Sequence, residues 1–285
     1  MSSPADSPPS ISSASWKWHL RVVIAVFCNA VYWIGGASVF LLLAWTVVWF
    51  LPKQRSREFG QRLLHRGFAG FAWLLKACGI IRITFSGFEK WNPELRGQVI
   101  APNHPALWDA LLIMGRISGL TCVLKSSLLH NPLLSGGARL AQFIPGSPPL
   151  NMVRLGVRAV REGQNLLIFP ESTRTLRPQC ALNEIKGGIG MIADRTEAPV
   201  WPLVVRTDSL YLSKGWPIWR WPRQPVNIEF LLLDPIQVEQ GETAQEFVAR
   251  LRAVYLSVLS ASPDDLARPD SQLQHRSGPA GPHGD

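Results

Sequence analysis

The sequence predicts an α/β fold: a mostly parallel or mixed sheet covered by helices, preceded by a hydrophobic membrane-anchoring helix or helical hairpin. Three observations lead there. From Ile80 onward, short apolar runs alternate with stretches of helical spacing, the pattern of strands joined through covering helices. Val22–Leu51 contains no charged residue. Both ends of the 285-residue chain are rich in small residues and proline.

Taken in order, residues 1–15 are Ser/Pro/Ala-rich and read as disordered, and residues 16–53 form the anchor. A helix needs about 20 residues to cross the hydrocarbon core, so the uncharged run can span once. Asn29 and Gly35-Gly36 allow instead two short helices dipping into one leaflet. Lys17 and Arg21 before the run and Lys53, Arg55 and Arg57 after it place positive charge at both ends, as a cytoplasm-facing hairpin would. Residues 54–82 read as an amphipathic connecting helix, with Phe59, Leu63, Leu64, Phe68, Phe71, Leu74 and Leu75 near helical spacing and Arg57, Arg62 and Arg66 among them. Such a helix lies on the bilayer surface or packs on the core. In the main domain, residues 83–261, strands are expected at Arg82–Ser86, Gln98–Ala101, Thr121–Leu124, Asn165–Phe169, Val200–Val205 and Val226–Leu232. Helices are expected at Leu107–Arg116, Asn151–Glu162, Gly188–Arg195 and Ala244–Ser260. Residues 262–285 read as a disordered tail.

Composition narrows the function classes. Hydrophobic residues make up 47% of the chain and there are 12 Trp, which points to membrane contact. The net charge of +9 suits an anionic partner, either nucleic acid or anionic lipid. No zinc-finger, RRM or basic-zipper pattern accompanies it, so lipid is favoured and no nucleic acid is expected. Cys28, Cys78, Cys122 and Cys180 lie far apart, which fits reduced thiols in a cytosol-facing protein better than disulfides or a zinc site. The expected location is the inner (cytoplasmic) membrane, with the main domain facing the cytoplasm.

The stretch richest in chemistry is Ala101-Pro102-Asn103-His104-Pro105-Ala106-Leu107-Trp108-Asp109, just after an apolar strand. Pro105 suits the first position of a helix, which makes His104 the expected N-cap and puts Asp109 on the second turn. A carboxylate beside an imidazole fixes its tautomer and stabilises the imidazolium, so the other ring nitrogen can accept a proton. No Ser or Cys lies inside the motif, so that proton comes most simply from a substrate hydroxyl or amine. Chance alone puts a His and an Asp at this spacing in about a quarter of such chains, so a second constellation must carry weight.

That constellation is Leu166-Leu167-Ile168-Phe169-Pro170-Glu171-Ser172-Thr173-Arg174-Thr175, an apolar strand ending in a turn with a carboxylate, hydroxyls and an arginine. Ligands of open α/β sheets bind beyond the carboxyl ends of strands, and both stretches follow expected strands. Arg174 suits a phosphate or carboxylate through its planar fork, and Glu171 can brace that arginine or accept from a substrate hydroxyl. A serine hydrolase would need a Gly-x-Ser-x-Gly elbow, and there is none.

Together the two stretches resemble the paired signature of the glycerolipid acyltransferase family, which includes 1-acylglycerol-3-phosphate acyltransferases: Asn-His-x-x-x-x-Asp followed by Phe-Pro-Glu-x-Thr-Arg. The resemblance runs from about Ile80 to Leu233. Val123-Leu124-Lys125, Ile185-Lys186-Gly187-Gly188 and Ala198-Pro199-Val200-Trp201-Pro202-Leu203 agree with lesser family blocks. Two positions depart: Gly146 stands where the family has a phosphate-binding arginine, with Arg154 a few residues on, and Ser172 stands where it usually has glycine.

The resemblance implies that His104 is the general base and that Asp109 orients it. Lys125, Glu171, Ser172, Thr173 and Arg174 would bind the acceptor, and backbone N–H groups at the helix start would hold the oxyanion. It also implies a donor, acyl-CoA or acyl carrier protein, and a lipid acceptor such as a lysophospholipid, with no metal or redox cofactor. The absent arginine opens the alternative of a non-phosphate acceptor (an aminoacyl lipid, a glycolipid or a polyene pigment precursor). A non-catalytic membrane scaffold is the other alternative. Lys214–Arg223, with three Trp and three basic residues, reads either as an interfacial membrane loop or as a cover over the site.

Overall fold

The computed structural model describes residues 52–260, apart from 93, 218–221 and 223, together with scattered helical positions between 16 and 50. Seven strands, β1 (Ile81–Ser86), β2 (Val99–Pro102), β3 (Leu120–Leu124), β4 (Ile144–Pro145), β5 (Asn165–Leu167), β6 (Val200–Thr207) and β7 (Val226–Leu232), form one sheet in the order β1-β7-β6-β2-β5-β3-β4. Every neighbouring pair is parallel except β6–β7, so the sheet is mixed.

Two hydrophobic layers sandwich the sheet. Ile100, Leu167, Leu203 and Val205 face one layer, together with α1 (Lys53–Ala77) and α2 (Asp109–Arg116). Val99, Ala101, Leu166 and Val204 face the other, with α4 (Pro149–Arg161), α5 (Gly188–Thr196) and α6 (Ala244–Ser260). The middle strand β2 is buried at all four residues, which is why its sequence is a continuous apolar run with no alternation. Strand β7 alternates, and Val226, Ile228, Phe230 and Leu232 all pack into the first layer.

The expected strands and helices recur with ends shifted by a few residues. Two elements escaped the pattern: β4, only two residues long, and α3 (Pro132–Leu140), which Gly136-Gly137 disguises. The connecting helix ends at Ala77 and not at 82, because Gly79 takes φ 68°. There Ile80 N–H donates to Leu75 O and Gly79 N–H to Lys76 O, the paired bonds that close a helix C-terminus.

Helix α1 packs on the core. An added Cβ at Gly115 of α2 would lie 2.9 Å from the Phe68–Ala69 backbone of α1, so the two helices cross at a distance only glycine permits. The opposite face of α1 exposes Arg55, Arg62, Arg66, Trp73 and Lys76, with Trp73 69% exposed.

The anchor expected at residues 16–53 falls largely outside the described residues, as do the expected disordered segments 1–15 and 262–285. Among the described residues no helix is long and apolar enough to cross a membrane. Tyr32, one described position of the uncharged run, stacks on Phe71 of α1 with ring centroids 4.2 Å apart. Among the described residues Cys78, Cys122 and Cys180 form no disulfide, and burial pushes the pKa of the Cys122 thiol up to about 12.

Candidate active site

The carboxyl ends of the parallel strands β2 and β5 sit side by side, and each delivers one of the two motifs. Beyond β2, Asn103 is buried and bonds both ways to one residue of β6: its Nδ2 donates to Val205 O (3.0 Å) and Val205 N–H donates to its Oδ1 (2.6 Å). The side chain thus continues the ladder where the main chain turns away, holding the start of the loop against the sheet.

His104 follows, but not as a helix cap. The chain makes turns through residues 105–108, and α2 begins at Asp109 with Trp108 as its N-cap. Asp109 therefore lies on the first turn, not the second. Its Oδ2 accepts from Ala106 N–H at 2.7 Å and lies 2.9 Å from His104 Nδ1. One carboxylate oxygen thus closes the turn and braces the imidazole, and the helix's positive end favours that charge.

The Asp109 side chain is 1% exposed and that of His104 16%. Burial pushes the Asp109 carboxyl above its ordinary range. The hydrogen bond and charge of His104, the Ala106 N–H and the charge of Arg177 pull the other way. Asp109 Oδ1 is buried without a hydrogen-bond partner among the described residues.

The second motif holds the first. Glu171 is 1% exposed, and both its oxygens face donors from the protein itself. His104 N–H donates to Oε1 at 2.9 Å, Asn183 N–H to Oε2 at 2.8 Å, and the Thr175 hydroxyl lies 2.9 Å from each. Thr175 N–H in turn donates to His104 O at 2.7 Å, and the Phe169 ring lies 4.2 Å from the imidazole. Glu171, expected to hold an acceptor head group, is in this geometry a buried brace for the histidine's backbone, since no oxygen is left facing outward.

Arg174 lies on the same turn, half-buried, with Nη1 donating to the carbonyls of Leu212 (2.8 Å) and Ser213 (3.0 Å). Burial lowers its pKa and the Asp109 charge opposes this, so it remains cationic. Ser172 and Thr173 are exposed on that turn. Ser172 has φ 57°, a left-handed conformation that favours glycine, which accounts for the residue usual in the resembling family. Lys125 is exposed at the end of β3, about 10 Å along the edge from β2 across β5.

Several expectations meet their test here. The N–H groups of His104, Ala106, Leu107 and Asp109 already donate within the protein, to Glu171, Asp109, Leu212 O and Ala106 O, so the oxyanion donors expected at this helix start are not those four. Gly146 follows β4, and an added Cβ there would stand 3.1 Å from Leu124 O, so a larger residue would crowd the β3 end. Arg154 is exposed and donates to Asn151 Oδ1 at 2.9 Å, beside an open groove of about 460 Å³ lined also by Pro148, Pro149 and Leu150. Residues 211–216 cover the first motif: Leu107 donates to Leu212 O, and Trp108 meets Tyr211 edge-on at 5.3 Å. Trp219 and Trp221 lie outside the described residues. Asn103 and Phe169 lie inside the two motifs, but their partners Val205 and His104 are about a hundred and about sixty-five residues away in the chain, respectively, so their supporting roles are not local signals. The Thr175 hydroxyl and Asn183 bond within a dozen residues, but in an irregular turn that has no periodicity to reveal them. Among the described residues no three His, Cys, Asp or Glu side chains gather as metal ligands.

Comparison with known proteins adds two findings. Residues 69–206 match the family model described as Acyltransferase. The chain is also similar to the crystal structure of a 1-acyl-sn-glycerophosphate (LPA) acyltransferase, PlsC, from Thermotoga maritima. That match has a TM-score of 0.66 at 19% identity and covers 88% of this chain and 96% of that one, a likeness of fold. A search of curated proteins found no match.

Proposed function

We propose that this chain, whose residues 69–206 match the Acyltransferase family model, is a glycerolipid acyltransferase that moves a fatty acyl group from acyl-CoA or acyl carrier protein to the hydroxyl of a lysophospholipid such as 1-acylglycerol-3-phosphate. The observation that carries this reading is the buried Asp109 Oδ2 at 2.9 Å from His104 Nδ1. With Nδ1 occupied as a donor, Nε2 is the basic nitrogen. It accepts the acceptor's hydroxyl proton as that oxygen attacks the thioester carbonyl carbon. The C–S bond then breaks, and the imidazolium returns the proton to the leaving thiolate. Asp109 remains ionised and balances the imidazolium charge. Arg174 holds the acceptor head group, and the step calls for no metal or redox cofactor.

The reaction takes place at the cytoplasmic membrane surface. Supporting this are the uncharged run Val22–Leu51 and the exposed basic and aromatic stripe on α1, Arg55, Arg62, Arg66, Trp73 and Lys76. Gly146 favours a second reading of the acceptor, an aminoacyl lipid, glycolipid or polyene pigment precursor without a phosphate, since no arginine occupies that position.

Thiol release from acyl-CoA, measured with purified chain and each acceptor class, tests the reading. His104→Ala should lower turnover by about two to four decades while the protein still folds. Near-normal transfer by that variant would refute it. Transfer to lysophosphatidate that is insensitive to Arg174→Ala would remove the arginine from the site.

A further inference from the structure

We infer that Asn183 is a positioning residue that fixes Arg174 for the acceptor, an inference that rests on the acyltransferase reading. Asn183 lies outside both motifs, on the chain between the arginine turn and α5. Its side chain is fully engaged by that turn. Nδ2 donates to Arg174 O at 3.1 Å, while Oδ1 accepts from Leu176 N–H at 3.0 Å and from the Cys180 thiol at 3.3 Å. Its own N–H donates to Glu171 Oε2 at 2.8 Å. One residue therefore touches the brace behind His104 and the backbone that carries Arg174.

Two features make this anchorage necessary. Ser172, with φ 57°, is a non-glycine residue in the left-handed region, and such a conformation persists only where its surroundings hold it. Asn183 ties the turn on both sides of that residue, at the Glu171 carboxylate and at Arg174 O. The other end of Arg174 is caught as well, with Nη1 on the carbonyls of Leu212 and Ser213. A guanidinium fixed at its backbone and at one tip presents its remaining donors in a set direction, which is what recognition of an oxyanion by a planar fork requires.

The experiment uses the full chain in detergent, with acyl-CoA and 1-acylglycerol-3-phosphate, and compares Asn183→Ala and Asn183→Asp with wild type. Rates are taken per folded molecule, with thermal unfolding followed in parallel. Both substitutions leave the residue's N–H, and so the Glu171 contact, in place. Alanine removes all three side-chain links; aspartate keeps an oxygen for Leu176 N–H and the Cys180 thiol but has no donor for Arg174 O. The expected result is an acceptor KM about tenfold higher in both variants, with donor KM and the pH–rate profile unchanged. Acceptor KM within twofold of wild type in both, or an aspartate variant that behaves as wild type, overturns the inference, leaving a merely structural asparagine. A displaced pH profile also overturns it, because the effect would then run through His104. Wild type that transfers nothing overturns the acyltransferase reading and this inference with it, whereas active wild type with unaltered variants sinks this inference alone.

Discussion

Glu171→Gln separates bracing from acceptor binding. Two backbone N–H groups point at different oxygens of the Glu171 carboxylate, His104 N–H at Oε1 and Asn183 N–H at Oε2. A glutamine has one acceptor oxygen, so its NH2 must oppose one of those two donors. The Thr175 hydroxyl can rotate to suit; the main-chain N–H groups cannot. The variant thus loses one hydrogen bond to a charged group and leaves a donor buried without a partner. Together these cost about 2–4 kcal/mol. In a domain of this size each kcal/mol lowers Tm by about 2–4 °C, so the midpoint should fall by roughly 5–15 °C. Thermal unfolding by circular dichroism, alongside steady-state kinetics below the transition, is the assay. The expected outcome is a lower Tm and a lower kcat per folded molecule, because His104 loses its backbone support, with acceptor KM little changed. A normal Tm with a raised acceptor KM would refute the bracing argument and return Glu171 to the acceptor.

Asp109→Asn probes the buried carboxyl through pH. Its native pKa is raised by burial, so between the unfolded value near 3.8 and the higher native one the folded state binds more protons and wild-type stability falls as pH rises. The asparagine variant lacks that loss. Its Tm relative to wild type should therefore move upward as the pH rises from the unfolded-state value near 3.8, while its turnover collapses; a relative Tm independent of pH would contradict the shift. Ser172→Gly relieves a left-handed residue and should stabilise the fold by about 1 kcal/mol or less, raising Tm by a few degrees. A lower Tm would show that the turn is not strained there.

Much of the fold was legible because its signals are local. Strand β7 and helix α6 were each expected with the bounds observed, since regular apolar spacing delimits both. The pairing of His104 with Asp109 was also within reach, because the two lie five positions apart and a turn suffices to join them. The structure departs from the local pattern where the chain had two local choices. Pro105 is as compatible with a turn as with a helix start, and burial of Trp108 together with the Asp109 contact to Ala106 N–H selected the turn. The proline-flanked, glycine-containing α3 and the two-residue β4 lack the length for periodicity to register.

What the amino-acid order determined by itself was the succession of elements, the apolar faces they bury and the two residue types that meet beside the site. Only the tertiary structure decided who braces whom. It set β7 between β1 and β6, which come from opposite ends of the domain. It brought Glu171 onto the backbone of His104 from sixty-seven residues away, and it turned Asn183 toward Arg174. Such contacts leave no periodic trace, because a buried carboxylate's partners are chosen by which unpaired donors the packed sheet brings within reach, and that reach exists only once the chain has folded.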